Sequence, residues 1–148
     1  MDYSKSSFFG LQDDDSCVLC AQLPETIDHL LTNCPFSREV WFKVLRKVGW
    51  ERVMPNTHTY SLASWWSEAR KQLPKVDRCG FDSLVILVSW LLWNERNDRT
   101  FDRRVRMVDE VVLSVCDEVV AWSHAGYRQL ELALVTTGVF SGHAFVTE

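Results

Sequence analysis

Four side chains that commonly bind metals stand close together near the start of the chain, with the spacing C-x2-C-x8-H-x4-C. They are Cys17, Cys20, His29 and Cys34. Three thiolates and one imidazole complete a tetrahedral zinc site and leave no position open for water or substrate. This ligand set therefore predicts a structural Zn2+ ion and argues against catalysis at the metal.

The segment between the second and third cysteines must bring the histidine to the CxxC pair. Its pattern is that of a short amphipathic helix over about residues 25–32, with Ile27, Leu30 and Leu31 on one side. We expect His29 within this helix and Cys34 just past its end. Because the CxxC pair lies in the preceding loop, loop and helix can converge on one ion.

The alternative to zinc is a disulfide or a set of unconnected buried thiols. The chain has five cysteines, an odd count, and shows no apolar signal segment, which disfavours a secreted disulfide framework. With the cysteines as thiolate ligands, the expected compartment is reducing: cytoplasm, nucleus or both.

The residues around this site resemble the zinc-binding domain of reverse transcriptases from plant LINE-type (non-LTR) retroelements. In that family a CxLC pair is followed by E-T-x-x-H-L, a cysteine and a tryptophan. The resemblance continues through SWWSEARKQLPK, GFDSLVILVSWLLWNERNDRTF and DEVVAWSHAG and covers about residues 16–126. The matching motif positions are Cys17, Leu19, Cys20, Glu25, Thr26, His29, Leu30, Cys34 and Trp41.

The chain also departs from the parent elements, which place a polymerase before the zinc segment. It contains no Tyr-x-Asp-Asp polymerase signature, no endonuclease and no RNase H portion. The resemblance therefore implies the zinc ligands and a helical tail, but not the enzymatic activities of the element. We expect a truncated, stand-alone fragment of such an element.

The rest of the pattern predicts an all-α fold, a small helical bundle with the CCHC zinc site at its N-terminal end. We expect helices over about residues 36–48, 61–73, 81–101 and 105–124, with Pro74 ending the second. The apolar run from Leu84 to Trp93 is too short for a membrane span, which needs about 20 residues. The expected organisation is a polar N-terminus (1–15), a zinc-stabilised helical domain (16–126) and a tail of undefined structure (127–148).

Charge is distributed unevenly along the chain. Residues 1–34 carry a net charge of −5, residues 35–106 of +6 and residues 107–148 of −5, within a total of −4. The basic middle could bind nucleic acid, although solvated helix faces paired with the acidic ends are the favoured interpretation. The candidate nucleic-acid residues are Arg38, Lys43, Arg46, Lys47, Arg70, Lys71, Arg103, Arg104 and Arg106.

The remaining candidates carry no catalytic pattern. Cys79 and Cys116 stand alone beside or within apolar helices and are expected to be packed thiols rather than nucleophiles. The pairs Trp65-Trp66 and Trp90-x2-Trp93 are expected in the core rather than as a platform for stacking bases. No triad spacing and no glycine-rich phosphate loop occurs.

These observations favour a non-enzymatic, zinc-stabilised protein–protein interaction module derived from a retroelement. Apolar helix surface left open by the missing parts of the element would bind a partner protein or a second copy of the chain. Such a module could act as an adaptor, inhibitor, toxin or antidote. The alternative is a nucleic-acid-binding accessory domain; no membrane and no small-molecule substrate is expected.

Overall fold

The computed structural model describes residues 15–56 and 61–125. These residues form four α-helices and no β-strand, apart from an isolated antiparallel bridge between Ser16 and Pro24, and the predicted all-α class is confirmed. A π turn at His29–Asn33 precedes the first α-helix, and a 3-10 turn at Glu51–Val53 follows that helix. A second π turn at Asp98–Asp102 lies between the last two α-helices. The α-helices are α1 (Pro35–Lys47), α2 (Leu62–Lys71), α3 (Lys75–Asn97) and α4 (Val108–His124).

Helix α1 begins and ends as its sequence predicts. Pro35 takes the first helical position, where its missing N–H costs no hydrogen bond. Gly49 follows the helix with φ +79°, and its N–H donates to the Arg46 carbonyl at 3.2 Å. The apolar stripe of α1 is buried as expected, comprising Val40, Trp41, Val44, Leu45 and, just after the helix, Val48.

Helix α2 carries the aromatic centre of the core. The Ser61 hydroxyl caps its start by accepting from the Ser64 N–H at 3.0 Å, as predicted. Trp65 then packs edge-on against Trp41, with ring centroids 4.8 Å apart, and against Phe81 at 5.8 Å. Its indole N–H donates to the Val53 carbonyl at 2.7 Å, so the buried ring leaves no polar group unpaired.

The start of α3 differs from the prediction. The helix begins at Lys75 rather than near residue 81, because Pro74 serves as its N-cap with extended ψ of 148° instead of only ending α2. Proline is well suited to a helix start, and only three residues, Gln72 to Pro74, separate the two helices here. Helix α3 ends at Asn97 and continues directly into the π turn. Because a π turn has more residues per turn than an α-helix, Phe101 does not follow the buried side of α3 and is 72% exposed.

Of three other predictions about burial, two are wrong and one is confirmed. Trp90 is 49% and Trp93 39% exposed, so the second tryptophan pair lies on the outer side of α3 and not in the core. Cys79 is exposed near the start of α3 rather than packed. Cys116 is half-buried against the core, and burial raises the pKa of its thiol, as expected of a packed cysteine.

Helix α4 closes the bundle by packing against α1 and α3. Its valine stripe is buried at Val111, Val112, Val115 and Val119, with a period of three and four. None of the described helices is long and apolar enough to cross a bilayer. The predicted tail (127–148) and most of the predicted N-terminus (1–15) lie outside the described residues.

Candidate metal centre

A tight loop presents the first two cysteines. The Cys17 N–H donates to the Leu23 carbonyl at 2.8 Å, and the Ala21 N–H donates to the Cys17 carbonyl at 2.7 Å. Ala21 completes the turn with φ +58°, which reverses the chain immediately after Cys20. The Leu19 N–H points at the Cys17 sulfur, 3.4 Å away, and would stabilise a thiolate there.

The π turn presents the other two ligands. Thr26 accepts the His29 N–H at its hydroxyl, 3.0 Å away, and thereby caps the first turn. At the other end the Cys34 N–H donates to the His29 carbonyl at 2.7 Å. The turn is helical from residue 27 to 33, close to the predicted 25–32, and Cys34 follows it directly. The two ligands thus lie one wide turn apart on the same side of the backbone.

The four ligand atoms form a cluster with the dimensions of a zinc site. All of them lie within 4.8 Å of one another. The sulfurs of Cys17 and Cys34 are 3.8 Å apart, and the Cys20 sulfur is 3.4 Å from His29 Nε2. Tetrahedral bonds of about 2.3 Å to sulfur and about 2.0 Å to nitrogen place two sulfurs about 3.8 Å apart and a sulfur and a nitrogen about 3.5 Å apart. These two distances are those expected of donors bound to one Zn2+ ion.

The electrostatics of the cluster also favour a cation. The hydrogen bond between the two sulfurs lowers the pKa of Cys17 to about 5, and the same contact together with burial raises the pKa of Cys34. A divalent ion bound to both sulfurs would displace the proton of this contact. Since Cys17, Cys34 and His29 are buried, the ion would be shielded from water.

The glutamate of the E-T-x-x-H motif attaches the metal centre to α3. Glu25 accepts the Val18 N–H at 3.3 Å through one carboxylate oxygen and the Arg96 guanidinium at 2.8 Å through the other. A second link runs from Asp28, whose carboxylate accepts the Leu62 N–H at the start of α2. The zinc segment is thus joined to two helices by side chains that bind no metal.

A fully buried carboxylate, not identified from the sequence, holds the end of α3 to the same loop. Glu95 has no exposed surface and accepts from Arg99 Nε at 2.8 Å, Arg106 Nε at 3.0 Å and the Arg106 N–H at 2.8 Å. Arg99 in turn donates to the carbonyls of Val18 and Leu19, the two residues between the paired cysteines. This Glu95 cluster connects the zinc loop, α3 and the segment that leads into α4.

Helix α1, which follows the metal centre in the sequence, holds it through two side-chain hydrogen bonds. The Trp41 indole N–H donates to the Leu31 carbonyl at 2.7 Å, and the Ser37 hydroxyl donates to the Leu30 carbonyl. Both carbonyls belong to the π turn. The Cys34 N–H, the usual α-helical partner of the Leu30 carbonyl, donates to His29 instead, and the position that would serve Leu31 is Pro35, which has no N–H. The tryptophan of the sequence motif is therefore a structural residue of the site.

The nine basic candidates do not gather at the metal centre, and four of them are in ion pairs. Lys43 pairs with Asp109 at 2.8 Å, which raises the pKa of Lys43, and Lys71 pairs with Glu68 at 3.5 Å. Arg70 and Arg106 are held by Asp82 and by Glu95, respectively. Among the described residues, the candidates outside ion pairs are Arg38, Arg46, Lys47, Arg103 and Arg104.

One comparison with known proteins identifies the N-terminal segment. Residues 4–41 match a family model described as zinc-binding in reverse transcriptase. This stretch contains all four predicted ligands and Trp41, and for these residues the resemblance predicted from the sequence is confirmed. No curated protein and no solved structure matches the chain. The chain therefore carries a zinc-binding module of the reverse-transcriptase type.

Proposed function

We propose that this chain is a non-enzymatic interaction module, derived from a retroelement, whose zinc site supports a helical surface for binding proteins. The observation that carries the proposal is an exposed apolar stripe on α3. Ile86 is 52%, Trp90 49% and Trp93 39% exposed, and their spacing of four and three residues places them on one side of the helix. We refer to these three residues as the α3 outer face.

The α3 outer face is unusual for a surface that contacts only water. Tryptophan is enriched at the centres of protein interfaces because one ring buries a large area with few rotamers to restrict. Burial of this stripe on a partner would gain about 25 cal/mol per Å2 before association costs. The Arg96 guanidinium lies 5.3 Å from the Trp93 ring centroid and borders the stripe with a polar group, as at an interface rim.

The partner that we propose for this face is a second copy of the chain. Ile86 and Trp93 lie about one turn on either side of Trp90, so two antiparallel α3 helices could pair reciprocally about a twofold axis. Such isologous pairing is the commonest arrangement among soluble homo-oligomers. A dimer could serve as an adaptor, or could bind and inhibit or neutralise another protein.

Light scattering on the purified, zinc-loaded chain tests this proposal. We expect a concentration-dependent dimer in the micromolar range that is lost in the double variant Trp90→Gln, Trp93→Gln. Phe101→Ser is the matched control, since it removes an exposed aromatic ring outside the α3 outer face. A monomer at every concentration, or a dimer that the double variant retains, would contradict the proposal.

Nucleic-acid binding is the second candidate function and makes a different prediction. Because four of the nine candidate cations are already neutralised and the chain carries a net charge of −4, we expect only non-specific binding. The expected Kd for RNA or single-stranded DNA is about 10⁻⁴ to 10⁻⁶ M at physiological salt. Titration at several salt concentrations measures it.

The informative variant for that titration reverses Arg103 and Arg104 together. Both are exposed, and neither side chain takes part in an ion pair among residues 15–56 and 61–125. Arg106 is left intact because it holds Glu95, and its loss would disturb the fold as well as any binding surface. A submicromolar, sequence-selective complex abolished by this double reversal would favour the nucleic-acid function over the interaction module.

A further inference from the structure

A groove of about 640 Å3 lies between α1 and α4. Helix α1 contributes three cations to its lining and α4 contributes two apolar residues and one acid. Val112 is 4% exposed and Leu113 is 62% exposed, so the apolar surface runs from inside the bundle out to solvent. The lining residues are Lys43, Arg46, Lys47, Asp109, Val112 and Leu113.

The charges on the rim of the groove are not balanced. Asp109 lies 2.8 Å from Lys43, which is also 3.6 Å from Glu39, so the charge of Lys43 is offset by these two acids. Arg46 and Lys47 form no ion pair with any residue the structure describes, and the Arg46 guanidinium rests 5.8 Å from the Phe42 ring centroid. Two positive charges outside ion pairs therefore stand beside an open apolar surface.

We propose that this groove binds an acidic amphipathic helix of a partner protein. The apolar side of that helix would pack on Leu113, beside the buried Val112, and its carboxylates would reach Arg46 and Lys47. Helix-in-groove recognition combines apolar contacts with a charged border. The surface differs from the α3 outer face, so this inference goes beyond the proposed function and does not depend on it.

Other occupants fit the groove less well. A small anionic molecule would remain largely in water, because Leu113 is more than half exposed and ligand sites normally enclose most of their ligand. A nucleic acid would place phosphates along the groove, where two unpaired cations flank an apolar floor and offer its sugars and bases few polar partners. A helix that is both acidic and apolar matches both parts of the lining.

Fluorescence anisotropy with a defined probe tests the inference. The probe is a labelled helical peptide of alanine, leucine and glutamate, with leucines at positions i, i+3, i+4 and i+7 and glutamates on both borders of the leucine stripe. The zinc-loaded chain is titrated with this peptide, with the same peptide carrying glutamine for glutamate, and with single-stranded RNA. We expect saturable binding of the acidic peptide and about tenfold weaker binding of the glutamine peptide.

Variants of the chain locate the binding. We expect the double variant Arg46→Gln, Lys47→Gln to raise the Kd of the acidic peptide about tenfold, and Leu113→Ser to raise it about fivefold. The matched control is Arg52→Gln, Lys75→Gln, which removes the same charge from exposed positions outside the groove. Circular dichroism confirms that each variant remains folded.

Three results would overturn the inference. They are no saturable binding of the acidic peptide, equal binding of the glutamine peptide, and equal weakening by the control pair. Tighter binding of RNA that depends on Arg46 and Lys47 would instead assign the groove to nucleic acid. The double variant Trp90→Gln, Trp93→Gln should bind the peptide normally, which separates this test from that of the proposed dimer.

Discussion

Local backbone structure directs the four candidate ligands toward one another. Cys17 and Cys20 are turned inward by a loop that reverses at Ala21, and His29 by a turn that Thr26 caps. The ligands could be predicted from sequence because zinc demands specific side chains at short separations, and a closed Cys3His set with this spacing satisfies that demand.

The first prediction concerns the loss of one ligand. Cys20→Ser should lower the zinc content well below one ion per chain and destabilise the fold by several kcal/mol, since structural zinc supplies about 10 kcal/mol or more in finger peptides. Elemental analysis and chemical denaturation measure the two effects. Cys79→Ser is the control, because this cysteine is exposed and outside the cluster. Equal zinc content in the two variants would contradict the assignment of the ligands.

Glu95 illustrates what residue patterns could not reveal. Nothing in its position on α3 distinguishes it from a solvated charge, because its burial depends on Arg106, which arrives from beyond the π turn. Burial of a carboxylate is tolerated only when hydrogen-bonding cations surround it, and that arrangement exists only in three dimensions. For the same reason, Arg106 stood among the candidate residues of the less favoured nucleic-acid alternative.

The second prediction concerns this buried charge. Glu95→Gln should destabilise the protein by about 3–5 kcal/mol, because Arg99 would keep its charge in a partly buried site without this counterion and Arg106 would retain only Asp98. Urea denaturation of the zinc-loaded protein measures the change. Glu68→Gln removes an exposed ion pair with Lys71 and should cost less than about 1 kcal/mol. If the two variants were equally stable, the Glu95 cluster would contribute nothing to folding.

At the scale of helices, periodicity identified the buried side of α1 and α4 but not the limits of α3. The stripes of α1 and α4 repeat every three to four residues, and such a repeat is visible in the sequence. Pro74 is compatible both with the end of one helix and with the start of the next, so sequence reasoning placed the start of α3 too late. Trp90 and Trp93 were assigned to the core by their size alone, although α3 already buries its opposite side.

The third prediction concerns the end of α1. Gly49→Ala should destabilise the protein by about 1 kcal/mol, because φ is +79° there and a Cβ disfavours that conformation. A Cβ at this position would meet no atom within 4 Å, so the cost would be backbone strain alone. Gly49→Asn should cost less, since asparagine tolerates the left-handed region better. Thermal denaturation measures both; equal loss in the two variants would point to another cause.

At the scale of the molecule, the metal centre is joined to the bundle by polar contacts and by a shared apolar core, to which the π turn contributes Leu30 and Leu31. Glu25 binds Arg96, Asp28 binds the start of α2, and Arg99 binds the zinc loop. The ring contacts of Trp65 with Trp41 and Phe81 are a source of stability that needs no ion. The family match covers residues 4–41, while most of that core lies beyond it.

The last prediction follows from this division. Removal of zinc with a chelator should abolish amide protection at the zinc loop and the π turn, weaken it at residues 98–106, and leave it largely intact in the middle of α3. The loop loses its ligand bonds, whereas Leu84, Val88 and Leu92 keep their apolar neighbours. Hydrogen exchange with mass spectrometry measures this pattern, and restored zinc should reverse it. Uniform loss of protection across all four α-helices would mean that the bundle does not stay folded without the ion. Unchanged protection at the zinc loop would mean that the ion does not stabilise the loop. Either result contradicts the division into a metal-dependent loop and a self-supporting core.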